Sequence, residues 1–114
     1  LNGYRTAIAG SDCTYGCPIG SLALELHEPD PQVRELLAVN FENWTKAVQR
    51  CIEQAGARIP AHVDQRALAE FVLTTMEGGV MQARTYRDVS YFDRTVNQLR
   101  DHFALLEQAA KQAA

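Results

Sequence analysis

Hydrophobic positions recur along most of the chain at spacings of three and four, and no window alternates with a period of two for long. This periodicity is typical of amphipathic helices rather than of strands. We therefore predict an all-α fold, a helical bundle whose members pack through their apolar sides. The length of 114 residues suits one domain that spans residues 1–114.

Proline, glycine and aspartate mark the ends of the predicted helices. A first segment covers residues 1–9, and a short helix begins at Pro18 and ends near residue 27. Asp30 caps a long helix that begins at Pro31 and ends at Gly56. Two further helices are predicted over residues 64–84 and 89–106, and the tail "EQAAKQAA" is expected to fray.

The helix predicted over residues 64–84 is apolar on nearly all sides, with only a thin polar line. Such a helix must be covered from several directions, and a short chain offers few elements to do so. We therefore expect a second copy of the chain to complete the cover. Gly78 and Gly79 each cost about 1 kcal/mol of helix propensity relative to alanine. A close helix crossing or a bound ligand would compensate, and we favour the crossing.

The last predicted helix carries two lines of residues. The first, with a heptad spacing that suits an internal core, is Val89, Phe92, Val96, Leu99, Phe103 and Leu106. The second, of mixed polarity, suits a contact between subunits and is Tyr91, Thr95, Gln98, His102 and Leu105. We add Phe71, Gly78 and Met81 of the preceding helix to this predicted dimer interface. His102 is either a pH-sensitive contact there or a solvated surface residue.

Composition and charge exclude several classes of partner. Hydrophobic residues make up 46% and charged residues 22% of the chain, and the net charge is −3. Because phosphate binding needs clustered lysine and arginine, this chain itself is not expected to contact nucleic acid. No apolar run approaches the roughly 20 residues that span a membrane. The three cysteines do not form a disulfide framework, and we expect a cytoplasmic protein with reduced thiols.

The sequence offers little support for metal, cofactor or catalytic chemistry. Cys13 and Cys17 are four residues apart, which differs from the Cys-x-x-Cys redox spacing, and a zinc site needs four ligands. We interpret them as structural thiols, with redox sensing as the alternative. No nucleophile elbow or glycine-rich loop after a strand is present. A thiol peroxidase-like enzyme is a distant possibility that depends on these two cysteines alone.

Three stretches taken in order resemble a known family. They are "GCPIGSLALEL", "NFENW" and "LAEFVLTTMEGGVMQAR", and the heptad helix follows them. Together they resemble the C-terminal regulatory domain of TetR-family transcriptional regulators. The resemblance implies a homodimer in which the last two long helices form a four-helix bundle. It also implies a small apolar effector, and operator DNA contacted only through an N-terminal helix-turn-helix domain that is missing from this chain.

The resemblance further implies a ligand cavity between the helices. We assign its walls to Tyr4, Ile8, Phe41, Trp44, Val48, Val72, Thr75 and Met76. Apolar cavities with a few polar groups are the usual sites for small molecules, and methionine adapts to varied ligands. Ordinary core packing is the alternative for each of these residues.

Two functions therefore stay open at the level of the sequence. The first is a ligand-sensing and dimerisation domain of a regulator, most often a repressor, whose effector binds one arrangement of the dimer better than the other. The second is a stand-alone dimeric helical interaction module without a pocket. Coding sequence upstream of Leu1 that specifies a basic three-helix domain would favour the first.

Overall fold

The computed structural model describes residues 30–113, and within this range the chain is all-α, as predicted. Its elements are α1 (Pro31–Ala55), a short 3-10 helix (Gly56–Arg58), α2 (Gln65–Tyr86) and α3 (Ser90–Ala113). The helices predicted over residues 1–9 and after Pro18 lie outside the described residues.

Helix α1 begins and ends as the sequence predicts. The Asp30 carboxylate accepts hydrogen bonds from the backbone N–H groups of Gln32 (2.9 Å) and Val33 (3.4 Å), with Pro31 in the first turn. These bonds satisfy amide groups that have no partner within the helix. The helix ends at Gly56, whose φ of 56° lies in a region that glycine enters without steric cost.

Helix α2 also has an aspartate cap but ends without a glycine. The Asp64 carboxylate accepts a hydrogen bond from the N–H of Ala67 at 3.0 Å. At the other end Arg87 adopts φ 53° and ψ 42°, and its N–H donates to the carbonyl groups of Ala83 and Arg84. A left-handed residue closing a helix is common, but the position usually holds glycine or asparagine.

Helix α3 is longer than predicted. At its first turn, the Asp88 carboxylate accepts a hydrogen bond from the N–H of Ser90 at 2.9 Å, as a capping aspartate does. The predicted end of the helix near residue 106 is wrong, because α3 reaches Ala113. Fraying of its last turns stays a prediction. The added segment consists of alanine, glutamine, glutamate and lysine, all favourable helix formers that need no apolar partner to continue the helix.

The core consists of two apolar clusters. The first, here called the three-helix cluster, contains Ile52, Ile59, Leu68 and Ala69, flanked by Val48, Ala55, Val63, Phe103 and Leu106. The second, here called the hairpin cluster, contains Val80, Ala83, Phe92 and Val96, flanked by Met76, Val89 and Tyr91. The end of α3 thus meets the start of α2, and the start of α3 meets the end of α2, so the two helices run antiparallel. The first line predicted on α3 is confirmed as its core side.

The crossing of α2 and α3 explains one of the two adjacent glycines. A Cβ atom on Gly79 would lie 3.1 Å from the Cβ and Cγ2 atoms of Thr95 and 3.2 Å from a ring carbon of Phe92. The helices therefore approach closely at Gly79, which confirms the predicted crossing at that residue. A Cβ atom on Gly78 would meet no atom within 4 Å.

Candidate functional site

Apolar side chains remain exposed on α2 and α3 beside the hairpin that these helices form. Phe71 is 46% exposed, Leu105 is 64% exposed, and Met81 is exposed as well. Phe71 and Gly78 lie seven residues apart, and Met81 lies three further on, so all three occupy neighbouring positions on one side of α2. We call Phe71, Gly78, Met81 and Leu105 the outer face.

An aromatic contact joins the two helices at the outer face. The ring of Phe71 meets the ring of His102 at a centroid distance of 5.3 Å and an interplanar angle of 62°. His102 also contacts Phe103 at 6.2 Å, and it lies one helical turn before Leu105. The outer face is therefore continuous from α2 to α3.

Besides His102, two residues of the second line on α3 already make contacts within the chain. Tyr91 packs against the hairpin cluster, and the Thr95 hydroxyl donates a hydrogen bond to the Tyr91 carbonyl at 3.0 Å. Gln98 is exposed. A contact between copies through these residues stays a prediction, with Gln98 and Leu105 as its most accessible members on α3.

Sequence reasoning missed an aromatic stack beside the turn that joins α2 and α3. The rings of Tyr86 and Tyr91 are stacked at 4.2 Å with an interplanar angle of 5°. The guanidinium carbon of Arg94 lies 4.6 Å from the centroid of the Tyr91 ring, a cation–π arrangement. The sequence signal for this stack was one tyrosine on each side of a three-residue turn.

Among the predicted ligand-binding residues, Phe41 and Trp44 are in direct contact. Their rings meet edge to face at 5.9 Å and 83°, and both side chains are half-buried. Thr45 beside them is buried, and its hydroxyl donates a hydrogen bond to the Phe41 carbonyl at 2.8 Å. This bond satisfies a polar group that would otherwise be costly to bury.

The structure assigns the other predicted wall residues to different parts of the core. Val48 flanks the three-helix cluster, whereas Met76 flanks the hairpin cluster. Val72 is half-buried, and the Thr75 hydroxyl donates a hydrogen bond to the Phe71 carbonyl at 2.7 Å. The other two, Tyr4 and Ile8, lie outside the described residues. The cavity therefore stays a prediction.

An ion-pair network connects α1 with the first turns of α2. The two terminal nitrogens of Arg66 meet the two carboxylate oxygens of Glu42 at 2.6 and 2.7 Å. Arg66 also approaches Glu70 at 3.4 Å, and Lys46 approaches Glu42 at 3.8 Å. The hydrogen bonds from Arg66 hold the pKa of Glu42 below its ordinary value of 4.5. This bidentate ion pair links α1 to the first turns of α2.

Metal and membrane sites were searched within residues 30–113. No group of three or more histidine, cysteine, aspartate or glutamate side chains in that range is placed to hold a metal ion. None of the helices described there is long and apolar enough to cross a bilayer. Cys51 is an exposed free thiol, whereas Cys13 and Cys17 lie outside the described residues.

Comparison with known proteins identifies a family. Residues 1–98 match the model of a family described as the C-terminal domain of LmrA/YxaF-like transcriptional regulators. The chain is 29% identical over 96 residues to the HTH-type transcriptional repressor DhaR of Mycobacterium sp. (strain GP1). It is 30% identical over 109 residues to the uncharacterized HTH-type transcriptional regulator Rv0196 of Mycobacterium tuberculosis (strain ATCC 25618 / H37Rv). No solved structure matches the chain significantly.

The alignments cover most of this chain and about half of each relative. They take in 82% of the chain and 48% of DhaR, and 89% of the chain and 53% of Rv0196. The family and its named members are transcriptional regulators rather than enzymes, in agreement with the expectation from the sequence. The chain belongs to the TetR family, as a C-terminal domain of the LmrA/YxaF-like regulators.

Proposed function

We propose that this domain forms a homodimer and senses a small apolar effector within a transcriptional repressor. The observation that carries the proposal is the outer face, where Phe71, Met81 and Leu105 remain exposed on two long antiparallel helices. Large aliphatic and aromatic side chains each gain about 1.5–3 kcal/mol on full burial. A second copy that packs on this face would supply that burial.

The dimensions of α2 and α3 suit such a contact. With 22 and 24 residues, they extend over roughly 33 and 36 Å at 1.5 Å per residue. Two copies of this pair would form the four-helix bundle that the family resemblance implies, with Gly78 allowing close approach at the centre. Stable interfaces bury about 800 Å² on each partner, which helices of this length can provide.

We propose the region around Phe41 and Trp44 as the effector site. The edge-to-face pair gives an apolar, half-buried wall on α1, and the Thr45 hydroxyl beside it is already satisfied by the Phe41 carbonyl. An apolar molecule in contact with Phe41, Trp44 and Val72 would bury its apolar surface there and would need no charged partner. Tyr4 and Ile8 complete the proposed wall.

The proposed mechanism is a shift between two arrangements of the dimer. An effector that binds one arrangement better moves the population toward it, and an effector with equal affinity for both does nothing. The relative DhaR is named a repressor, which supports repression as the activity of the whole regulator. In the whole regulator, helix-turn-helix domains would contact operator DNA, and the arrangement of the dimer would set the distance between these domains. We propose that the regulator acts in the cytoplasm.

A fluorescence titration tests the effector site. Trp44 is the single tryptophan of the chain, so its emission reports on this site alone. We expect a panel of small apolar molecules to contain members that shift the emission saturably. Phe41→Ala should weaken such binding about tenfold, while Asn43→Ala, an exposed neighbour on the same helix, should leave it unchanged.

The same titration separates the two functions that the sequence left open. A dimer whose Trp44 emission responds to no molecule in the panel would favour the stand-alone interaction module. Equal weakening by Phe41→Ala and Asn43→Ala would place the effector elsewhere in the domain. A saturable shift that only Phe41→Ala weakens supports the sensing domain.

A further inference from the structure

His102 contacts two aromatic rings at the edge of the outer face. Its ring meets the ring of Phe71 on α2 at a centroid distance of 5.3 Å and the ring of Phe103 on α3 at 6.2 Å. The His102 side chain is half-buried, whereas Phe71 and Leu105, one turn further along α3, are exposed. A titratable side chain therefore borders the apolar surface that the proposed dimer would cover.

The contacts of His102 within residues 30–113 are aromatic rings rather than carboxylates. On α2, the acidic residue nearest to Phe71 in sequence is Glu70, which approaches Arg66 at 3.4 Å. The other charged residues on the neighbouring turns of α2 and α3 and on the short 3-10 helix are Arg58, Glu77, Arg100, Asp101 and Glu107. A charged imidazole at His102 would therefore depend on water rather than on an ion pair with these elements.

A second copy on the outer face would take this water away. In a two-fold dimer the same surface of both copies meets itself. The residues that approach His102 from the second copy are then those of the outer face, Phe71, Gly78, Met81 and Leu105, and none of them carries a charge. Burial among such residues disfavours a charged imidazole, because the charge loses its hydration and gains no partner.

We propose that His102 makes the association of this domain sensitive to pH, with the dimer favoured while its imidazole is neutral. The inference rests on the dimer of the proposed function and adds a regulation of that interface. Histidine is the side chain whose ordinary change of charge falls between pH 5 and 8. As the pH falls through this range, separate chains take up protons that the dimer does not, so the equilibrium moves toward single chains.

Sedimentation equilibrium of the full chain at pH 8.0 and pH 5.5 tests the proposal. We expect the dissociation constant of the dimer to rise by about tenfold or more at pH 5.5. His102→Gln, whose amide stays neutral, should give the same constant at both pH values. The control His27→Gln with His62→Gln removes the other two histidines and should keep the rise. Both pH values lie above 4.5, so the ion pair of Glu42 with Arg66 stays intact.

A calorimetric dilution of the control variant, which keeps His102 as its single histidine, gives a second measurement that does not require His102→Gln to dimerise. At pH 6.5, dissociation should take up protons, and two buffers of different ionisation enthalpy should then give different heats. Equal heats in the two buffers, a dissociation constant that does not change with pH, or a rise that His102→Gln retains would overturn the proposal and leave the dimer in place. A single-chain mass at pH 8.0 would overturn the dimer, and this proposal with it.

Discussion

Arg87 occupies a backbone conformation that carries an energetic cost for its residue type. Its φ of 53° lies in the left-handed region, which costs residues with a Cβ roughly 1–2 kcal/mol. Glycine avoids this cost but loses about 0.5–1 kcal/mol through its freer unfolded state. We therefore expect Arg87→Gly to raise the free energy of unfolding by up to about 1 kcal/mol.

Urea denaturation at one fixed protein concentration measures this difference. Arg100→Gly is the control, because Arg100 is exposed in the middle of α3, where glycine should cost about 1 kcal/mol. Destabilisation by Arg87→Gly of the same size as the control would contradict the assignment of a strained helix end.

The ion pair of Glu42 and Arg66 predicts a dependence of stability on pH. Because the pair lowers the pKa of Glu42 in the folded chain, its contribution is present above the ordinary value of 4.5 and is lost as the pH falls below it. Glu42→Gln should therefore lower the melting temperature at pH 7 and have little effect near pH 3. A melting-temperature difference that stays constant between these pH values would contradict the prediction.

Single residues show what the sequence can and cannot predict at this scale. Asp30, Asp64 and Gly56 were predictable, because each acts through its own backbone neighbours. The helix end at Arg87 was not, because the conformation is imposed by the short turn and the packing of α3 rather than by the residue itself. The pairing of Glu42 with Arg66 joins residues on different helices, and no local pattern signals it.

At the scale of the helices, we expect alanine substitutions at the two adjacent glycines of α2 to change the free energy of unfolding in opposite directions. Gly79→Ala places a Cβ atom 3.1 Å from Thr95 and 3.2 Å from the buried ring of Phe92, so these side chains must give way by a few tenths of an ångström. We expect a net loss of about 1 kcal/mol in the free energy of unfolding. Gly78→Ala meets no atom within the chain and should gain up to about 1 kcal/mol from helix propensity.

The measurement compares the stability of both variants in a Leu105→Glu background, which would remove contacts between copies in the proposed dimer. In the unchanged background, Gly78→Ala should weaken self-association if Gly78 lies at the proposed crossing of the two copies. Equal stability of both variants in the Leu105→Glu background would show that α2 and α3 do not approach closely at Gly79.

The helices themselves were largely predictable from periodicity, whereas their rotations were not. The spacing of α3 identified its core side correctly, from Phe92 to Leu106. Which of Gly78 and Gly79 faces α3 depends on the rotation of α2 about its axis, because the two residues are about 100° apart. The sequence does not fix this rotation. The predicted ligand wall was similarly divided, since Val48 and Met76 pack in separate clusters.

At the scale of the whole molecule, the sequence predicted that α2 needs more cover than one chain provides. The structure leaves Phe71, Met81 and Leu105 exposed after α1 and α3 have packed against α2. We propose that a second copy of the chain covers these three side chains. We therefore expect the domain to associate through the outer face. Helix α1, on the other side of α2, would then remain free to contact the proposed effector.

Sedimentation equilibrium of the unchanged chain at micromolar concentration tests this central claim most directly. The account predicts a particle of twice the 12.7 kDa chain mass, and a single chain for Leu105→Glu. Ala104→Glu, which adds the same charge at an exposed position turned about 100° away, should remain a dimer. A single-chain mass for the unchanged protein, or a dimer that Leu105→Glu leaves intact, would contradict the account.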